Sequence, residues 1–269
     1  MAWLTDIARK RPLGPGNPPT KMARHDIICL HTMVGYLVST DVMFKREGYT
    51  GVESHFGVGG DWGSDKNADL DGVIYQWVDT EYRADANLEG NHRLISIETA
   101  DHAPAKAADI KPWTPNQVAA IIRLVTALCK RYDIPAALVP DSKSTRRGIA
   151  YHRQGIEPWR VDGGELWSAA NGKECPGDAR IAQITSVIIP GVKALLNPVK
   201  PQEDDMAEWL ASQHKLSETD AKAYGGDAKE GDTKSGSELL RYPPAVARLR
   251  REMDEKLDAI LAKLNAPEA

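Results

Sequence analysis

Ile27-Ile-Cys-Leu-His31, followed by Thr32, is an apolar run that ends on a histidine. It reads as a short buried strand. A histidine at a strand end is more often a satisfied polar side chain than a ligand, so it gains meaning only from its company. Outward from it, Leu94-Ile-Ser-Ile-Glu98 is a second strand. Its alternation sets Ser96 and Glu98 on the face opposite Ile95 and Ile97. Ser54 to Val58 and Val73 to Val78 are further strands, joined by a polar, Gly-rich, hairpin-like loop. Gly148-Ile-Ala-Tyr-His152 leads to another histidine.

Helices are expected between these strands. Ser39 to Glu47 opens with Ser, Thr and Asp and stops at Gly48. Thr114-Pro-Asn-Gln117 combines a Thr cap, Pro at the first helical position and Gln at the third. Val118, Ile121, Ile122, Val125, Leu128, Cys129 and Tyr132 follow at helical spacing. Residues 178 to 189 read as a closing helix. Strands and helices alternate irregularly, which points to an α/β (α+β) domain with a mixed sheet.

A chain of 269 residues is one large domain or one domain with an appendage. The break falls after residue 196. Residues 197–205 form a Pro-rich acidic linker, and 206–269 a helical C-terminal extension. Within that extension the apolar residues of 244–265 recur at steps of three and four, a stripe suited to docking or to self-association. The extension carries 11 Lys+Arg and 15 Asp+Glu from residue 198 onward, against 23 of each before it. No basic stripe marks a nucleic-acid partner. No apolar stretch approaches the length of a membrane span, and the first residues do not read as a secretory signal. Three cysteines give no disulfide framework. Cys29 and Cys129 fall in apolar patterns and read as core thiols, whereas Cys175 lies between a charged pair and Pro176-Gly177.

His31, His152 and Cys175 supply two imidazoles and one thiolate. These could fill three corners of a zinc tetrahedron, leaving the fourth for water, as in catalytic sites. Their separation in sequence does not show that they meet. Cys175 could equally be a nucleophile with His152 as its base, in a cysteine hydrolase.

The ordered words of the chain decide between these readings. They are Leu30-His31-Thr32; Ser54-His-Phe56 before Asp71-Gly-Val-Ile-Tyr-Gln76; Asn91 before Ile95-Ser-Ile-Glu98; Thr114-Pro-Asn-Gln117; Tyr151-His-Arg153; and Lys173-Glu-Cys-Pro-Gly177. In this order they resemble the zinc-dependent N-acetylmuramoyl-L-alanine amidases of the type-2 amidase and peptidoglycan-recognition family, and phage endolysins in particular. The resemblance covers roughly residues 20 to 195. It implies a central mixed β-sheet flanked by helices, with Zn2+ held by His31, His152 and Cys175 in a groove at one sheet face. By the same resemblance Glu98 matches the general base and Lys173 the group that stabilises the oxyanion. It implies peptidoglycan as the partner, and residues 1–196 as the catalytic domain. It also implies an enzyme that accumulates in the host cytoplasm and reaches the bacterial wall once the membrane is permeabilised. A recognition module without catalysis is the alternative within the family.

The chain departs from the pattern twice. Ser54 stands where the phage-lysozyme branch has a catalytic Tyr, which leaves more of the base role to Glu98. The stretch from His152 to Cys175 is long and carries Trp159 and Trp167. Exposed indoles suit sugar faces, so Ser54, Asn91, Trp159 and Trp167 are the candidate substrate contacts. Of the other histidines, His55 reads as structural, and His25, His92, His102 and His214 as surface residues.

Overall fold

The computed structural model describes residues 2–13, 20–47, 49, 51, 53–102 and 109–197. Expectations for the linker beyond Asn197, for the helical extension 206–269 and for its stripe at 244–265 lie outside the described residues.

Six strands form one sheet: β1 (Arg9–Lys10), β2 (Ile27–Thr32), β3 (Phe56–Val58), β4 (Ile74–Gln76), β5 (Leu94–Thr99) and β6 (Gly148–Tyr151), in the order β1-β4-β3-β5-β2-β6. Only β3 and β4 pair antiparallel, and the other neighbours are parallel. The sheet is therefore mixed, as the irregular alternation implied. β2 and β5 lie side by side over their whole length, which sets His31 opposite Glu98. β6 flanks β2 with Tyr151 opposite Leu30, so His152 emerges beside His31.

Strand alternation sorts the side chains into two faces. Ile28, Leu30, Ile95, Ile97 and Ile149 pack with Ile121, Leu124, Val125 and Leu128 of α3 (Pro115–Tyr132) into the main core. On the other face Ile27, Cys29, Leu94 and Ala150 meet Val139 and Trp167 in a smaller cluster. Cys29 and Cys129 are both core thiols, as expected.

α3 begins as its sequence dictates. Thr114 Oγ1 accepts from the Gln117 amide at 3.0 Å, and Gln117 Oε1 accepts from the Thr114 amide at 3.1 Å. This reciprocal pair satisfies two amides that helix geometry leaves open. The helix ends on Asp133 in the left-handed region, φ 51°. The first helix differs from expectation: α1 runs Leu37–Phe44 without a side-chain cap of its own. The carboxylate of Asp65, on α2 (Gly63–Asn67), accepts from the Leu37 and Val38 amides instead. A cap delivered from another helix leaves no local signature.

The closing helix also runs beyond residue 189. α4 (Asp178–Gln183) continues through a π-helical segment, Ile184–Ile188, into α5 (Ile189–Leu196). Pro190 falls in the first turn of α5, where its missing N–H is tolerated. Asp178–Leu196 is long and apolar enough, by length and composition, to cross a membrane. Its Ile184, Ile188, Ile189 and Val192 are buried in the main core.

Candidate metal centre and active site

Three chain segments converge at the C-terminal ends of β2, β5 and β6. His31 is the penultimate residue of β2, and His152 opens a 3-10 turn, His152–Gly155, directly after β6. Cys175 sits in the turn before α4, whose Gly177 has φ 96°, a conformation that favours glycine. Two backbone links hold that turn. The Arg153 amide donates to the Cys175 carbonyl at 2.9 Å. The Thr32 amide donates to Cys175 Sγ at 3.2 Å, between residues 143 positions apart.

One ligand atom each from His31, His152 and Cys175 lies within 4.8 Å of the other two, and all three residues are buried. The imidazole centroids are 4.2 Å apart. His152 Nε2–H donates to the Trp167 carbonyl at 2.9 Å, which fixes the neutral tautomer and frees Nδ1. His152 Nδ1 and His31 Nε2 are buried and find no hydrogen-bond partner among the described residues. Buried imidazole nitrogens of that kind are uncommon in a purely structural setting. The donor set, two nitrogens and a sulfur, suits a borderline-soft divalent cation.

The electrostatics agree with a cation. Burial, with the neighbouring His152 and Lys173, drives the His31 pKa well below its ordinary value. Burial and Lys173 lower that of His152 to about 3. Both rings are thus neutral at physiological pH, the form that binds metal. Burial, reinforced by Glu98, pushes the Cys175 thiol up to about 12, against the pull of Lys173, the Thr32 amide and Arg180. Without a cation this thiol stays protonated, and it is a poor nucleophile in that form.

Glu98 reaches the same point from β5. Its Oε1 lies 3.6 Å from His31 Nδ1, and its Oε2 finds no hydrogen-bond partner among the described residues. Burial raises its carboxyl to about 8; Lys173 and Arg180 pull it down, and Asp101 pushes it up. Lys173 is exposed and lines the same cavity of about 240 Å³ with His31, His152 and Glu98. The remaining walls are Asp85, Ala86 and Leu88 on one side and Trp167 to Ala170 on the other. Four of the five residues singled out for the centre, His31, Glu98, His152 and Lys173, line this cavity, and Cys175 joins them through its cluster with the two histidines.

The four candidate substrate contacts distribute differently. Ser54 is fully buried and does not line the cavity. Asn91 is a structural link: its Nδ2 donates to Asp85 and its Oδ1 accepts from the Asn87 amide. Trp167 is 1% exposed, so its indole belongs to the wall and is not the open platform expected. Trp159 is exposed but lies in a separate cleft with Arg153, Asp141 and Tyr151. Among the other histidines, His55 is structural: Ser96 and Tyr82 hold its ring. His25, His92 and His102 are half-buried, and His214 lies outside the described residues.

Other residues near the centre carry no sequence signal. Asn87 is buried and its amide opposes the fall in the His31 pKa. Beneath Cys175, the buried Arg180 donates to Thr32 Oγ1, Thr99 Oγ1 and the Ala100 carbonyl. The Thr32 hydroxyl in turn donates to Asp101.

The N-acetylmuramoyl-L-alanine amidase family model matches residues 21–178. No curated protein matches the chain. Among solved structures it is similar to the N-acetylmuramoyl-L-alanine amidase LysC from Clostridium intestinale. That likeness has 17% identity and a TM-score of 0.43, and covers 70% of this chain and 97% of that one. It is also similar to the Staphylococcus aureus hydrolase AmiA in complex with its ligand, with 14% identity, a TM-score of 0.49 and coverage of 72% and 88%. A third likeness is to peptidoglycan recognition protein-LE in complex with tracheal cytotoxin, with 14% identity, a TM-score of 0.42 and coverage of 67% and 94%. With more than half of its length matched by the family model, and with the ligand cluster inside that span, the chain belongs to the N-acetylmuramoyl-L-alanine amidase family, the type-2 amidases.

Proposed function

We propose that this chain is a zinc-dependent amidase that hydrolyses the bond between the lactyl group of N-acetylmuramic acid and L-alanine in peptidoglycan. Its setting is lysis of the host wall by a phage, with accumulation in the host cytoplasm before it reaches the wall. The phage setting is supported by the endolysin-like order of its sequence words. The observation that carries the chemistry is the convergence of two orphaned imidazole nitrogens and a buried thiol beside an unpaired carboxylate and a lysine.

His31, His152 and Cys175 would hold the ion. Bound there, zinc supplies Lewis-acid activation of water and of the scissile carbonyl. The chain's own groups account for the remainder. Glu98 can take a proton from water and pass it to the leaving amine, and its raised pKa keeps it near the operating pH. The positive charge of an ion beside it draws the carboxyl back toward the ionised form that a base requires. Lys173 places an ammonium where charge develops on the substrate oxygen. Ala86, Leu88, Ala169 and Ala170 add apolar surface beside these groups.

A cysteine hydrolase is disfavoured on two counts. The Cys175 thiol is held protonated by its surroundings, the form that is a poor nucleophile, and His31 adds a second buried imidazole that a cysteine–histidine pair does not need. Digestion of purified peptidoglycan with and without chelator tests the proposal. New amino groups from L-alanine, abolished by chelation and restored by zinc, are expected. New reducing sugars, or tight binding without any product, would replace the amidase by a glycosidase or a recognition module. Glu98→Gln should lower kcat by about 10²- to 10⁴-fold while leaving zinc bound.

A further inference from the structure

The tautomer of His152 depends on a backbone carbonyl, and that carbonyl is held from a distance. Trp167 O accepts from His152 Nε2 at 2.9 Å. The Trp167 amide donates to the Gly155 carbonyl at 2.7 Å, tying the residue to the turn that His152 opens. Its indole is fully buried against two glycines. A Cβ on Gly155 would fall 2.3 Å from the ring, and one on Gly90 2.9 Å from Nε1. The indole N–H donates to Glu165 Oε2 at 3.2 Å.

Glu165 is fixed in turn by Arg93, the residue directly before β5, which is 0% exposed. Arg93 Nη2 meets Oε2 at 2.7 Å, and its Nε lies 3.0 and 3.1 Å from the two carboxylate oxygens. The guanidinium also donates to the Arg146 and Lys143 carbonyls. A forked, desolvated pair of this kind is directional and hard to displace.

We propose that Glu165, locked by Arg93, is a positioning residue for the metal centre: through the Trp167 indole it sets the carbonyl that holds His152 in its Nε2–H form with Nδ1 aimed at the ion. The proposal rests on the metal-site reading above. Its physical basis is that the group bonded to the distal nitrogen of a ligand histidine sets which nitrogen binds metal.

The test uses the full chain and two variants, Glu165→Gln and Trp167→Phe. The long-range proton–nitrogen spectrum of the metal-free protein reads which His152 nitrogen carries the proton. Competition with a chromophoric chelator reads the zinc Kd. A single Nε2–H tautomer is expected in the wild type. Both variants should show mixed tautomers and a zinc Kd weakened by about 10-fold or more. An unmixed Nε2–H tautomer in both variants, or a Kd in both within about twofold of wild type, would overturn the proposal. Should Glu165→Gln fail to fold because it strands a buried guanidinium, Trp167→Phe decides alone, since it removes the indole N–H link, with part of the ring volume, and leaves the ion pair. A wild-type chain that binds no zinc would count against the metal-site reading instead, and the tautomer spectrum would still decide the role of Glu165.

Discussion

The two faces of the central sheet are built from the same strands and solve opposite problems. Toward α3, Leu30, Ile95, Ile97 and Ile149 are fully buried among aliphatic side chains. Across the backbone, one residue further along β2 and β5, stand His31 and Glu98, with His152 in the turn directly after β6. His31 Nε2, His152 Nδ1 and Glu98 Oε2 are buried and find no hydrogen-bond partner among the described residues. Each such atom costs about 1–3 kcal/mol if nothing answers it. One face stabilises the fold, and the other gathers the polar groups of the centre. A large helix-side core is what lets the opposite face carry this load.

That contrast can be broken from either side. The largest effect should come from the site face. Cys175→Ser should lower amidase turnover by roughly 10³-fold or more, about 4 kcal/mol of barrier. The thermal midpoint of the metal-free protein should barely move. A variant that keeps wild-type turnover would show that the thiolate is not needed and dissolve the contrast.

The helix face should answer in the opposite way. Leu124→Ala, at a fully buried position on α3, should cost about 3 kcal/mol in denaturant unfolding. Below the unfolding transition, kcat should stay within about twofold of wild type. A large drop in kcat with stability intact would mean that the two faces are coupled.

A pH effect of similar size sharpens the contrast between neutral and charged histidines. Burial lowers the His55 pKa from 6.5 to about 4, and the Tyr82 carbonyl only partly offsets this. Between those values the unfolded chain binds more protons than the folded one, so stability falls as pH drops from 6.5 to 4. The loss should reach about 3 kcal/mol at roughly 1.36 kcal/mol per pH unit. His55→Gln should flatten this part of the stability–pH curve. An unchanged slope would show that His55 titrates normally in the folded protein.

The smallest effect belongs to a local feature of the helix face. Thr114→Ala removes the cap of α3 and should cost about 1 kcal/mol, with no change in zinc affinity. A weaker zinc site in this variant would show that the helix start transmits to the metal centre.

How much of this was legible beforehand varies with the range of the interaction responsible. α3 was readable from Thr114 to Tyr132, because capping and apolar spacing act within four residues. β2 and β5 were readable because alternation marks their faces, and so was the side of the sheet on which Glu98 lies. The site's ligand types were readable as residues and words, which is how His31, His152, Cys175, Glu98 and Lys173 were singled out. Asn87, Thr32 and Arg180 were not, since each acts through partners far away in the chain. The burial of the Trp167 indole was not legible for the same reason. Composition offers Trp167 as an open platform, but Gly90 and Gly155 leave it a slot and Glu165 takes its N–H.

Local order, then, was written in the residues themselves: where β2, β5, β6 and α3 begin, which side chains share a face, and which donors could serve a cation. The sheet order β1-β4-β3-β5-β2-β6, the cap that α2 lends to α1, and the approach of Cys175 to Thr32 belong to the fold. Short-range hydrogen bonds and periodicity are encoded by neighbours a few residues apart. The meeting of segments over a hundred positions apart is decided only when a whole sheet buries its apolar face and leaves the polar ends of β2, β5 and β6 together.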